Sequence, residues 1–125
     1  MKRLLLLTLL CFSINGFAFN WKLVFVDSKG TSYHVDLDNI KKHNGIVYYW
    51  RLADYLEPIR GGNSSLNKYE VNCREEKKTL LRSTWYSQSM GKGRIVTDNA
   101  PNITSYPKSN LHTHQLMKLA CKYAK

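Results

Sequence analysis

Acidic residues are scarce in this chain: 9 in 125 positions, against 19 lysines and arginines, for a formal net charge of +10. That imbalance disfavours cationic partners and favours anionic ones, such as lipid headgroups, sulfated glycans, acidic protein patches or nucleic acid. Proline and glycine are also few, at 3 and 7. With no internal repeat and no low-complexity segment, this excludes a flexible linker, a solenoid or a collagen-like rod. Only one apolar run exists, Leu4 to Phe12 interrupted by Thr8, and it is shorter than the roughly 20 residues needed to cross a bilayer. There is no G-x-S-x-G elbow, no phosphate-binding loop and no H-E-x-x-H. The common hydrolase, nucleotide and metalloprotease signatures are therefore missing. No catalytic residue, cofactor or metal is expected.

What is present begins with an export signal. Lys2 and Arg3 precede the apolar run, and Gly16-Phe17-Ala18 supplies a small-x-small cleavage site. Residues 1–18 are read as a cleavable signal peptide and residues 19–125 as a single domain. A buried N-terminal element of a cytosolic domain is the alternative, and charge, length and cleavage site together speak against it. Cys11 lies in the apolar run, but Leu10 precedes it where lipoprotein processing needs a small residue. The expectation is thus a periplasmic or secreted protein without a lipid anchor. Losing Lys2 and Arg3 would leave 17 basic residues against 9 acidic ones, a charge of +8.

Two cysteines would remain, Cys73 and Cys121. In an oxidising compartment such a pair forms a disulfide, and closing a loop of about 48 residues is worth about 4 kcal/mol. Free or metal-binding thiols are the alternative, with no further ligand cluster in the sequence to support them.

The pattern along residues 19–125 is mostly period two, which means strands. Trp21 to Asp27 places Trp21, Leu23 and Phe25 on one face. A short strand follows near Tyr33 to Val35. Asp36 or Asp38 caps a helical turn, and His43-Asn44-Gly45 makes a second turn, Asn-Gly suiting positive φ. Ile46 to Leu56 is the strongest strand, with Ile46, Tyr48, Trp50 and Leu52 on one face and Val47, Tyr49, Arg51 and Tyr55 on the other. Pro58 and Arg60-Gly-Gly-Asn63 break it. Strands at about Ser64–Cys73, Thr79–Ser87 and Arg94–Thr97 complete a set of about six, with Tyr69, Val71 and Cys73 pointing inward and Lys68, Glu70 and Asn72 outward. Ser109 then caps a helix ending near Tyr123, whose Leu116, Met117, Ala120, Cys121 and Ala124 share one face. Strands first and one helix last predict an α+β fold: a small antiparallel sheet with a C-terminal helix packed on it and tied by the disulfide.

Few residues stand out as a site. His112 and His114, on a helix, lie about 200° apart and cannot share one ion. Asp27, Asp36, Asp38 and Asp54 have the chemistry to pair as acid and base, but Asp36 and Asp38 read instead as turn and cap residues. Met90-Gly-Lys-Gly93 reads as a hairpin connection. Tyr48-Tyr49-Trp50 with Arg51 has the composition of a base-stacking strand, but export argues against nucleic acid and the core is the simpler home for these rings. Lys77, Lys78, Arg82, Lys92 and Arg94 lie on neighbouring predicted strands and turns. They form either one patch for an anionic partner or a solvated edge. Asn63-Ser-Ser65 and Asn102-Ile-Thr104 match the glycosylation pattern by chance.

Several of these residues, taken in order, are similar to a known family. They are Trp21; Tyr33-His-Val-Asp36 with Ile40; Val47-Tyr-Tyr-Trp50 leading into Leu52-Ala-Asp-Tyr55; Ser65 with Lys68-Tyr-Glu70; Cys73; Met90-Gly-Lys-Gly93; Pro107-Lys-Ser109; and Cys121. Together they resemble the surface-adhesin protein E-like domain of Gram-negative bacteria. The resemblance implies a small antiparallel sheet joined by a disulfide to a C-terminal helix, and adhesion to host extracellular-matrix proteins. The expectation is a non-enzymatic binding module for a protein or polyanionic ligand. A periplasmic structural or accessory protein, acting by self-association as a homodimer or through envelope contacts, is the alternative.

Overall fold

The computed structural model describes residues 19–125, so the export signal read at residues 1–18 lies outside the described part. Among the described residues eight strands precede one helix. The strands are β1 (Trp21–Val26), β2 (Ser32–Asp36), β3 (Lys41–His43), β4 (Ile46–Ile59), β5 (Gly62–Asn72), β6 (Lys77–Tyr86), β7 (Ile95–Asn99) and β8 (Ile103–Ser105), and the helix α1 is His112–Tyr123. All pairings are antiparallel, in the order β1-β2-β4-β5-β6-β7, with β3 also on β4 and β8 also on β6. The long strands β4, β5 and β6 form the centre.

The α+β expectation holds, with eight strands instead of about six. The two extra strands are β3, Lys-Lys-His, and β8, Ile-Thr-Ser, both exposed along their length. Neither buries a side, so neither carries the apolar alternation by which a strand is read from sequence.

Alternation sends Val35, Val47, Tyr49, Tyr69 and Val71 to one face, where Leu116, Met117 and Ala120 of α1 close over them. Cys121 and Ala124 pack against the same core, so the predicted apolar stripe of the helix is the observed one. Cys73 and Cys121 are joined by a disulfide across 48 positions. The chain end adds a tie, Lys42 N–H donating to the Lys125 carbonyl at 3.1 Å.

Three local expectations are corrected. A bulge in β1 between Leu23 and Phe25 breaks the predicted common face. Phe25 turns to the helix side, stacking on His112, while Leu23 is exposed. Pro58 does not end β4, because Tyr55 to Pro58 bulge opposite Asn63 and so owe no ladder hydrogen bond. Ser109 does not cap α1: the helix starts after Leu111, with no side-chain cap, and Lys108–Leu111 form a turn.

Other turns follow the sequence. Asp36 accepts the Asp38 N–H as cap of the turn Leu37–Asn39. Asn44 and Gly45 both adopt positive φ, 51° and 80°, as a tight hairpin requires. Gly93, at φ 82°, is strained for any side chain, and a Cβ there would clash with the Ser87 Oγ and the Gln88 side chain.

Candidate open-face binding site

Opposite α1 the sheet has a second face, and its two ends differ. At one end the β6–β7 connection, with its turn Ser89–Gly91, folds across it. The Asp54 carboxylate accepts the Ser89 hydroxyl at 2.7 Å and the Met90 N–H at 2.9 Å. Gly91 N–H donates to the Ser64 hydroxyl at 2.8 Å. Beneath it Leu52 and Leu66 are buried. Met90-Gly-Lys-Gly93 is thus a hairpin connection, as read, and also a cover.

At the other end nothing comparable lies over the sheet among the described residues. Tyr48 and Trp50 of β4 project there, both partly exposed, because alternation puts them opposite buried Val47 and Tyr49. The antiparallel register places Trp50 beside Lys68 and Tyr48 beside Glu70. Lys68 Nζ stands 5.4 Å from the Trp50 ring centre, a cation–π distance. Phe19 stacks on Trp21 at 4.6 Å and meets Trp50 edge-on at 6.0 Å.

Two hollows adjoin across the Tyr48–Glu70 pair. One, of about 300 Å³, is walled by Trp50, Tyr48, Lys68, Lys41 and Asn39. The other, of about 290 Å³, is more polar, with Glu70, Asn72, Lys77, Thr79, Asn102 and Thr104 at its walls. The Thr79 and Thr104 hydroxyls sit 2.9 Å apart in it.

The five basic residues singled out from the sequence do not share one surface. Lys77 faces the open side at the polar hollow. Lys78, its neighbour, points the other way, is 6 % exposed, and holds its ammonium 4.2 Å from the Tyr69 ring centre. Burial pushes its pKa down, nearby Arg51 adds to that, and Tyr69 opposes it. Arg82 is clamped on Asp98 by two bonds of 2.6 and 3.0 Å. Lys92 and Arg94 sit in and beside the β6–β7 connection, away from both hollows.

Other flagged residues are occupied structurally. Asp27 accepts the Lys29 and Thr31 N–H groups. His112 stacks on Tyr33 at 4.4 Å, and His114 bonds Glu76 at 3.2 Å. His34 bonds the Ser32 hydroxyl. Tyr49 is core, its hydroxyl buried and without a partner among the described residues, and its pKa driven up by that burial. Arg51 lies on the helix side, donating to the Ser65 hydroxyl at 3.0 Å with its guanidinium over Tyr33. Among the described residues, no three His, Cys, Asp or Glu side chains cluster as metal ligands do.

Sequence reasoning passed over Lys41, Lys68 and Glu70 as site residues. The signal was present in part: Lys68 and Glu70 read as outward, and Tyr48 and Trp50 as sharing a face. What was missing was the β4–β5 register that sets them side by side.

Comparison with known proteins adds a family and a fold. The family model for surface-adhesin protein E matches residues 21–122. Crystal form II of Haemophilus influenzae protein E superposes with TM-score 0.62 at 18% identity, covering 86% of this chain and 91% of that one. A second structure of Haemophilus influenzae protein E gives 0.59 at 20% identity, covering 86% and 87%. Protein E from non-typeable Haemophilus influenzae gives 0.56 at 19% identity, covering 86% and 79%. A search of curated proteins finds no match.

Proposed function

The chain belongs to the surface-adhesin protein E family, and from that premise we propose that it is an exported, non-enzymatic binding module. In this reading residues 1–18 direct export and are removed. Residues 19–125 act as one domain, in the periplasm or outside the cell, contacting a host matrix protein or another anionic partner. No helix among the described residues is long and apolar enough to cross a membrane.

One observation carries the reading. The open end of the sheet presents partly exposed Trp50 and Tyr48 beside Lys41, Lys68 and Lys77, and no ion pair engages those lysines among the described residues. Aromatic anchors ringed by charge are what binding surfaces concentrate. The flagged aspartates and histidines are each held by turn, stacking or hydrogen-bond contacts, so no acid–base or nucleophile–base pair converges among them.

The test is binding of the purified protein to immobilised matrix proteins across a salt series. Binding that persists at about 0.15 M salt and weakens roughly tenfold in Trp50→Ala or Lys68→Glu supports the open face. Binding lost entirely by that salt, or unchanged in both variants, refutes it.

Self-association is a second reading, favoured by a separate feature. Among the described residues the outer edge of β1 has no strand partner, and its Leu23 and Val26 are each 53% exposed. Such an edge can pair with a second copy. A sedimentation mass independent of concentration, and equal to the monomer's, would dismiss it.

A further inference from the structure

We propose that the paired hollows on the open face are a site for a short acidic oligosaccharide, one whose sugar rings carry carboxylate or sulfate groups. The inference rests on the binding-module reading and narrows it to a ligand class.

The chemistry of the two hollows is complementary. A pyranose ring has an apolar face of C–H groups and an edge of hydroxyls. The C–H face packs on an aromatic ring, and Trp50 and Tyr48 line the first hollow together. The hydroxyl edge needs groups that both donate and accept at close spacing. The second hollow supplies a carboxylate from Glu70, the hydroxyls of Thr79 and Thr104, and the amides of Asn72 and Asn102. Asn72 uses its oxygen to receive the Glu75 N–H, which leaves its NH₂ without a partner among the described residues.

Charge then selects acidic sugars. Lys41 and Lys68 flank the aromatic hollow and Lys77 the polar one, against Glu70 as the single carboxylate lining either. The Lys68 ammonium stands over the Trp50 ring, so a sugar stacking on that face displaces it to the rim, where it can meet an anionic substituent. The two hollows adjoin where Tyr48 pairs with Glu70 and Glu70 with Thr79. Three strand spacings, from β4 through β5 and β6 to β8, span roughly 14 Å, room for more than one ring.

The position also disfavours a peptide strand. Peptides that add to sheets do so at an edge, through free backbone groups. The floor of these hollows is β4, β5 and β6, where the backbone is already paired on both sides; only Lys41 of β3 and Thr104 of β8 reach in from strands with a single partner among the described residues.

The experiment titrates the purified protein with four probes at about 0.15 M salt. These are a hyaluronan hexasaccharide (carboxylates only), a heparin hexasaccharide (sulfates), an uncharged chitin hexasaccharide and linear polyphosphate. Expected is binding of at least one acidic hexasaccharide, with the uncharged one weaker, and the preferred acidic probe identifies the carboxylate or the sulfate as the recognised group. Trp50→Leu should weaken that binding roughly tenfold, and Thr79→Val several-fold, with both variants still folded in a single cooperative transition although Thr79→Val gives up the bond to Thr104. Polyphosphate binding should not respond to Trp50→Leu. No saturable binding of either acidic hexasaccharide, or binding indifferent to Trp50→Leu, overturns the proposal.

A second arm separates this proposal from the broader one, using matrix protein before and after enzymatic removal of its glycans. Binding that requires the glycans supports the site. Binding that survives their removal overturns it while leaving the binding module standing. Binding to neither form overturns both.

Discussion

The two faces of this sheet are made by alternate residues of the same strands, yet they are finished differently. On one, α1 lays Leu116, Met117 and Ala120 over Val47, Tyr49, Tyr69 and Val71, and a disulfide holds it there. On the other, a turn covers Leu52 and Leu66, while Tyr48 and Trp50 stay partly exposed. In the reading proposed above, stability and recognition are thereby allotted to opposite sides. Where one face already supplies core and staple, the other can keep large rings in water, where they are available to a partner.

If that division is right, the largest effect belongs to the staple. Replacing Cys73 and Cys121 together by serine should cost about 4 kcal/mol, the loop-closure value for a cross-link spanning 48 positions. Urea unfolding of the oxidised protein and the double variant measures it. An unchanged midpoint would mean that α1 holds by packing alone.

Next comes a matched pair of truncations. Met117→Ala removes a fully buried side chain and should cost about 2–5 kcal/mol. Trp50→Ala removes a larger but partly exposed one and should cost less than about 1 kcal/mol. Equal losses would abolish the contrast between the faces, since the open face would then also be core.

Much of the closed face was legible in the sequence, because burial writes a period into the chain. Period two gave Tyr69 and Val71 as inward, and period 3.6 gave the helix stripe with Cys121 on it. The open face was legible only as separate strands. Its assembly depends on a register that a hairpin would normally fix, and here the turn misleads. From the Ile59–Gly62 pair, an unbroken ladder would set Trp50 opposite Val71. Tyr55 to Pro58 bulge against Asn63, and the slip brings Trp50 to Lys68 instead. A bulge of this kind leaves no apolar period to read. The same holds for β1, where one bulge separates Phe25 from Leu23. Lys78 escaped for another reason: a lysine in a strand reads as solvated, and only the fold shows it folded over Tyr69.

A smaller effect should come from the cover at the far end of the open face. Asp54→Ala removes an acceptor used by the Ser89 hydroxyl and the Met90 N–H. Bonds to a charged group of this kind are worth about 1.5–3 kcal/mol. The partial exposure of these groups points to the lower end of that range. Amide hydrogen exchange at Met90 should quicken, with protection in β5 beneath α1 unaffected. Faster exchange across the whole sheet would show that both faces unfold as one.

The smallest effect is set by acid, and it bears on each side of the sheet through a different carboxylate. Glu76 is hydrogen-bonded by His114 and Lys118 of α1, and this holds its pKa below 4.5. Asp98 is held below 3.8 by Arg82 and then by Thr84, on the open side. Asp27 is also lowered from 3.8: burial works against its ionisation, but the Thr31 and Lys29 N–H groups and the Tyr33 hydroxyl outweigh it. In each case the folded pKa lies below the unfolded one. The stabilisation is therefore complete above the unfolded value and is lost as pH falls through the folded value. Urea midpoints should be flat with respect to these groups down to about pH 5.5 and decline below it. Glu76→Gln should blunt the decline through the helix tie, and Asp98→Asn through the open side. These groups are exposed and screened, so each share is small. Burial also lowers the pKa values of His34 and His112, so a separate decline sets in from about pH 6.5. A further decline below about pH 5 that neither substitution altered would place that acid sensitivity elsewhere than in these carboxylates.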